Sequence, residues 1–166
     1  MVTDELHVPD AFKTGMRRLA AGVSLITSQL DERRVGLIAT AVSSVVADPP
    51  TLLVCINQGA SAHADILAAG IFAVNVLAAS DQGMAQVFSD PSRRHERFQT
   101  GVWDRAVTGA PLLGSAIVAF DCAVVRQIPY TTHTIFLGEV RAVRTAGSTC
   151  DPLVYLNQQF RRVAAL

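Results

Sequence analysis

The amino-acid sequence predicts a mainly β domain, an antiparallel barrel with two or three short helices. Short apolar and β-branched runs recur along the chain, enough for roughly seven or eight strands. Gly and Pro punctuate them at short intervals, as turns between strands require. No strand–helix–strand alternation persists, which argues against a doubly wound parallel sheet.

The elements follow in order. Phe12, Met16 and Leu19 recur at i, i+4 and i+7, so Asp10–Ala21 is expected to be helical, with Gly22 ending it in a left-handed cap. Val23–Ser28 reads as a strand and the charged Asp31–Arg34 as a turn. Gly36–Val46 is rich in small and β-branched residues and reads as one strand. Asp48-Pro49-Pro50 stops it, because proline donates nothing to a ladder. Thr51–Asn57 is a short apolar run, expected as a buried strand. Ser61 is placed to cap a helix over Ala62–Ala69, and Gly70 to end it. Ile71–Leu77 reads as a strand, Ser80 as the cap of a helix reaching Phe88, and Ser89–Thr100 as a loop with a helical turn. Ser115–Ile128 and His133–Arg144 are longer strands joined as a hairpin through Pro129-Tyr130-Thr131-Thr132. Leu153–Leu156 is a last strand, followed by an arginine-bearing tail.

With 166 residues the chain suits a single domain, its core spanning about 10–162. Half the residues are hydrophobic and the mean hydropathy is +0.33, apolar enough to predict a subunit interface and hence an oligomer. Fourteen Lys and Arg balance fourteen Asp and Glu, so the basic surplus of a nucleic-acid binder is missing; Arg93, Arg94 and Arg97 are a local basic patch or a solvated loop. Cys55, Cys122 and Cys150 lie too far apart for a zinc motif and are too few for a disulfide framework. The opening residues lack a basic-then-apolar leader, and no apolar run approaches a membrane span, so the cytoplasm is the expected location.

The sequence carries no G-x-G-x-x-G, no P-loop, no H-E-x-x-H and no G-x-S-x-G. His7, His63, His95 and His133 hold no metal-ligand spacing. Four segments carry possible chemistry. The small residues of Gly36–Pro50 let a flat ligand lie against a strand, with Thr40, Ser43 and Ser44 as hydroxyl partners, although composition alone favours a tightly packed strand with Ser and Thr facing neighbours. After Val54-Cys55-Ile56-Asn57, a helix starting at Ser61 offers the Ala62 and His63 amides to an anion, or is an ordinary capped helix. His133 opens a strand, where a side chain meets a cavity or bonds the hairpin backbone. Glu139 shares its face but stands six residues on, about 20 Å away, so the two form no local acid–base pair. Tyr155 to Arg162 covers a ligand or is a solvated tail.

Gly36–Pro50, Val54–Asn57, Phe72–Leu77, Gly109–Gly114, His133–Val140, and Tyr155 with Phe160-Arg161 occur in the order found in one family. Over Phe12–Arg161 the chain resembles the short-chain NAD(P)H:flavin reductases of two-component monooxygenases, typified by the reductase component of 4-hydroxyphenylacetate 3-monooxygenase. The resemblance implies an FMN-binding split β-barrel, usually a homodimer. It implies hydride transfer from NADH or NADPH to FMN or FAD, with reduced flavin passed to a partner oxygenase. It places Ala39, Thr40, Ala41, Ser44, Cys55, Ile56, Asn57, Ser61, Ala62 and His63 at the flavin, and Arg97 and Phe98 near its tail. It places His133 at the nicotinamide in a positioning role, with Tyr155 and Arg161 near the same cleft. Ile38 and Ala62 depart from the family's usual polar residues. Alternatives of the same fold are a reductase of a corrinoid or metal complex and a flavin- or haem-binding module without turnover. A non-enzymatic dimeric interaction domain is a third.

Overall fold

The computed structural model describes residues 7–147 and 150–164; Met1–Leu6, within the stretch read above for a leader, lies outside the described residues. The fold is built on twelve strands: β1 (Ala21–Gly22), β2 (Ser24–Leu30), β3 (Arg33–Ala39), β4 (Val42–Ala47), β5 (Pro50–Asn57), β6 (Ile71–Val76), β7 (Trp103–Arg105), β8 (Pro111–Leu113), β9 (Val118–Tyr130), β10 (His133–Thr145), β11 (Leu153–Leu156) and β12 (Gln159–Arg162). Three α-helices join them: α1 (Val8–Met16), α2 (His63–Ala69) and α3 (Gln82–Ser89). Seven strands form one antiparallel sheet in the order β3-β2-β6-β9-β10-β5-β4.

That order is the split barrel in outline. β3 and β4 sit at opposite edges of the sheet, yet only Thr40 and Ala41 separate them in sequence. The sheet must therefore curl almost back onto itself, and the chain steps from one edge to the other at Thr40-Ala41. Gly36–Val46, expected as one strand, is two strands for this reason. The seam opens where β5 outruns β4: the β4 ladder begins at Val42 opposite Val54, one more bond joins the Cys55 amide to Ala41 O at 3.0 Å, and Ile56 and Asn57 run on without a β4 partner.

Inside the curl, Ile26, Val54, Ile56, Phe72, Val74, Cys122 and Phe136 form the main core, joined by Ile66 of α2. Gly138 is required there, since a Cβ would stand 2.7 Å from Phe72 Cε1 and 2.9 Å from Cys122 Cβ, both residues being fully buried. A second cluster lies on the other face of the sheet, where Val23 and Leu25 meet Ala85 and Phe88 of α3, Leu113 of β8 and Leu153 of β11. Buried Asn75 ties this layer down: its Nδ2 donates to Leu25 O and Thr27 Oγ1 at 3.0 Å, and its Oδ1 accepts from Leu113 N at 2.7 Å.

The local expectations hold where one residue decides the backbone. Gly70 ends α2 in the left-handed region at φ 66°, accepting no Cβ cost. The β9–β10 hairpin is tighter than expected, pairing Tyr130 with His133 across Thr131-Thr132. Other readings are corrected. α1 ends at Met16, and Gly22 lies in β1, paired with Val154, instead of capping a helix. Ser61 does not cap α2; Ala62 holds that position without a side-chain bond. Ser80 lies in a 3₁₀ turn, where Asp81 Oδ2 accepts the Ala78 amide at 3.0 Å ahead of α3. The tail is a hairpin, β11 with β12, turning on Asn157 and Gln158 at φ 50° and 63°.

Candidate active site in the barrel split

The split in the barrel is a cavity of about 570 Å³, the size of a small-molecule site. One wall is the end of β3 with the crossing segment, Leu37 to Ala41. The other is the end of β5 that outruns β4, Cys55 to Asn57, with Gly59, Ala60 and Ser61; the Cys55 amide there donates to Ala41 O at 3.0 Å. Beyond the Cys55–Ala41 bond neither wall is paired with the other, so backbone groups past it are available to the rim of a flat ligand. The residues nearest the seam, Ala39, Ala41, Gly59 and Ala60, are small enough for close approach.

The two ends of the cavity differ. His133 stands at one end, carried on the first residue of β10 opposite Asn57. Its Nδ1 lies 2.9 Å from Thr132 Oγ1, which leaves Nε2 for a ligand. The Gln58 amide donates to Thr132 O at 2.9 Å, pinning the hairpin tip to β5. The other end is cationic. Arg94 and Arg97 line it, and beyond them lies a further recess of about 270 Å³ shared by Arg33, Arg34, Arg94, Arg97 and the single carboxylate Asp65. Arg33 Nη2 pairs with Asp65 Oδ1, and the Arg34 guanidinium lies 4.9 Å from the Phe98 ring centre. Three guanidinium charges remain without a carboxylate in that recess, an anion-attracting end.

Arg97 is the best anchored of these. Its Nη2 donates to Phe88 O at 2.8 Å and its Nη1 to Gly36 O at 3.1 Å, while the guanidinium packs on the Phe88 ring at 5.5 Å. Burial, helped by the neighbouring Arg94 charge, lowers its pKa. Gly36 permits the arrangement, since a Cβ there would meet Phe88 Cε1 at 2.8 Å.

Of the residues singled out from the sequence, the split gathers Ala39, Thr40, Ala41, Cys55, Ile56, Asn57, Ser61, Arg97 and His133 along one cavity. Others stand elsewhere. Ser44 lines a separate shallow pocket with Val42 and Leu52 on the far side of β5. Phe98 lines the arginine recess alone. Tyr155 lines two adjoining depressions that share Thr40 with the cavity. Arg161 is exposed and bonds Gln159. Ala62 and His63 turn into the core, and the His63 amide is already donated to Ala60 O at 3.0 Å. His63, placed at the flavin by the resemblance, is buried where α2 packs over β2 and β10. Leu37, Ile38, Phe88, Ser89, Pro91 and Arg94 line the cavity without having been singled out as ligand residues. The basic patch at Arg93–Arg97 and the anion reading at Ser61 were the signals in the residues that pointed to that end.

Residues 16–164 match the family model described as the flavin reductase like domain. The chain belongs to this family. Among its relatives, the FMN reductase (NADH) RutF of Stutzerimonas stutzeri is 39% identical over 158 residues, covering 95% of this chain and 90% of the relative. The FMN reductase (NADH) RutF of Pseudomonas syringae pv. syringae is 42% identical over 153 residues, covering 92% and 85%. Among solved structures, BorF, the flavin reductase component of a bacterial two-component tryptophan halogenase, superposes with a TM-score of 0.85 at 32% identity over 95% of this chain and 99% of that one. The Streptomyces globisporus C-1027 NADH:FAD oxidoreductase SgcE6, in complex with NAD and FAD fragments, gives a TM-score of 0.85 at 30% identity over 94% and 93%. Membership in the family agrees with the open-seamed sheet, and the flavin-reductase-like split barrel expected from sequence is the fold observed. Among the described residues no group of three His, Cys, Asp or Glu could hold a metal, and no helix is long and apolar enough to cross a membrane.

Proposed function

We propose that this chain is an NAD(P)H:flavin oxidoreductase that reduces FMN or FAD with NADH and releases reduced flavin to a partner monooxygenase. The observation that carries the reading is the split itself, a slot between two open strand edges with a cationic end. The residues fit a flavin. The ring system needs a flat slot with backbone donors and acceptors at its rim, which Leu37–Ala41 and Cys55–Asn57 supply. The phosphate-bearing tail needs positive charge, which Arg94 and Arg97 supply past Ser61. Relatives named as NADH-dependent FMN reductases and a structural neighbour holding NAD and FAD fragments support the same assignment.

When bound, the flavin supplies a hydride acceptor at its N5 position, so the difficult chemistry belongs to the cofactors. The protein's share is placement. The small residues Ala39 and Ala41 let the slot close on both faces of a planar group. Donors on the strand edges stabilise negative charge at the ring's rim. His133, held through Nδ1 by Thr132, offers Nε2 to the nicotinamide and needs no acid–base role.

The reading includes a cytoplasmic homodimer. Support for self-association comes from α1, whose Val8, Phe12 and Met16 are exposed, together with Leu19 just beyond it. Phe12, Met16 and Leu19 line a groove of about 470 Å³ with Thr40, Ala41 and Tyr155, so this apolar face adjoins the mouth of the split. Oxidation of NADH and NADPH, followed at the nicotinamide absorbance with and without FMN or FAD, tests the activity. Flavin-dependent oxidation is the expected result; oxidation that needs a metal complex or corrinoid and ignores flavin overturns it. A monomer by light scattering would remove the dimer.

A further inference from the structure

His63 is an unusual residue to find behind a cofactor slot. It is the first residue of α2, only 9% exposed, and its ring packs edge-on against Phe136 with centroids 5.5 Å apart. Its Nε2 lies 2.9 Å from Thr134 Oγ1, and Thr134 is itself buried on β10 immediately after His133. Gln58 completes the group. Its Nε2 donates to Thr134 Oγ1 at 3.4 Å and to His133 O at 3.1 Å, and its amide donates to Thr132 O at 2.9 Å. One buried imidazole is thus joined, through a hydroxyl and an amide, to all three residues that carry His133 into the cavity.

The Gln58 side-chain nitrogen only donates, so Thr134 Oγ1 accepts from it. The hydroxyl keeps a second lone pair and its own proton for His63 Nε2, its other side-chain partner among the described residues, so the pair forms with either imidazole tautomer. An aromatic residue of the same size would fill the space against Phe136 but leave the buried Thr134 hydroxyl without this partner. A polar side chain at this position therefore does something that packing alone does not ask for.

We propose that His63 is a positioning residue of the reductase: through its hydrogen bond with Thr134 it orients that hydroxyl and, with Gln58, holds the 132–133 segment so that His133 meets the nicotinamide. This rests on the reading that His133 positions the nicotinamide. His63 itself touches neither ring, and it lies outside the residues that line the cavity.

A double-mutant cycle tests it. Steady-state kinetics with NADH varied at saturating FMN would be measured for wild type, His63→Phe, His133→Ala and the double variant. His63→Phe is expected to raise KM for NADH by about two- to 150-fold, the range of coupling within one hydrogen-bond network, with kcat within about twofold. KM for FMN should hold. In the His133→Ala background the same substitution should add nothing. His63→Gln places an acceptor oxygen near the position of Nε2 and is expected to restore KM. Thr134→Val, which keeps the shape and deletes the hydroxyl, should reproduce His63→Phe and carries the test if the phenylalanine variant does not fold. A raised KM in His133→Ala with none in Thr134→Val or folded His63→Phe overturns the proposal and leaves His133 in place. Equal effects of His63→Phe with and without His133 also overturn it, since they mark a structural loss only. Unchanged KM and kcat in His133→Ala remove the role of His133 and the proposal with it.

Discussion

Replacing Arg97 with methionine separates two roles for one guanidinium. The structure commits both Nη atoms to backbone carbonyls, Phe88 O at 2.8 Å and Gly36 O at 3.1 Å, and lays the side chain on Phe88. Hydrogen bonds from a charged group contribute about 1.5–3 kcal/mol each. Arg97 is half-buried, so water competes for it, and the pair together is worth about 2–3 kcal/mol. Methionine keeps the aliphatic contact with Phe88 and deletes only the donors. In a chain of this size each kcal/mol moves Tm by about 2–4 °C, so the variant should melt about 4–12 °C lower. It should also bind FMN and FAD more weakly while binding riboflavin, which lacks the phosphate, about as before. Thermal melts and flavin titrations read both effects. A variant that melts like wild type but loses FMN affinity would refute the clamp and make Arg97 a ligand contact only. A variant that loses stability but binds FMN normally would leave the anion end to Arg94 and Arg34.

Three further expectations concern buried and cleft-lining groups. Gly138→Ala forces a methyl against Phe72 and Cys122 and should destabilise by about 1–3 kcal/mol, read from the urea midpoint; an unchanged midpoint would mean the barrel core yields freely. Burial, with help from the Asp121 charge, pushes the Cys122 thiol up from 9.0 to about 12, so between those values the unfolded chain loses a proton that the folded chain keeps. Stability from this group is therefore complete below pH 9 and falls as pH rises, by up to about 1.4 kcal/mol per unit, and Cys122→Ala should flatten that slope in alkaline urea titrations. Cys55 lines the split, so in a Cys150→Ser background saturating FMN should slow its reaction with a thiol reagent, whereas equal rates with and without FMN would place the flavin elsewhere.

The sequence made the strands legible because burial alternates or persists over short runs, as in Thr51–Asn57 and Ile71–Leu77. Gly70 marked its helix end because only one backbone conformation fits there. Reading failed where a long-range partner decides. Nothing local in Gly36–Val46 says that the chain changes sheet edge at Thr40, because the change is made by closure of the curl. The final hairpin escaped notice because Asn157 and Gln158, neither of them glycine, adopt positive φ, with the Asn157 amide bonded to Arg17 O at 2.7 Å. In the site, the wall residues Ala39 to Ala41 and Cys55 to Asn57 were legible as small or strand-end positions. The burial of His63 was not legible, because a histidine two residues after Ser61 gives no sign of the buried Thr134 71 residues away.

The open seam has a thermodynamic corollary. A barrel lacking one line of pairing is a receptor whose folded state is incomplete, and a planar ligand in the slot supplies contacts to both free edges at once. Binding then acts as a missing stave: it adds stability by mass action, about 2.7 kcal/mol at a hundredfold excess over the dissociation constant. The same linkage runs in reverse when the flavin departs. Each release withdraws that stabilisation, so a reductase of this design is least protected against heat and proteases just after it has handed its product on.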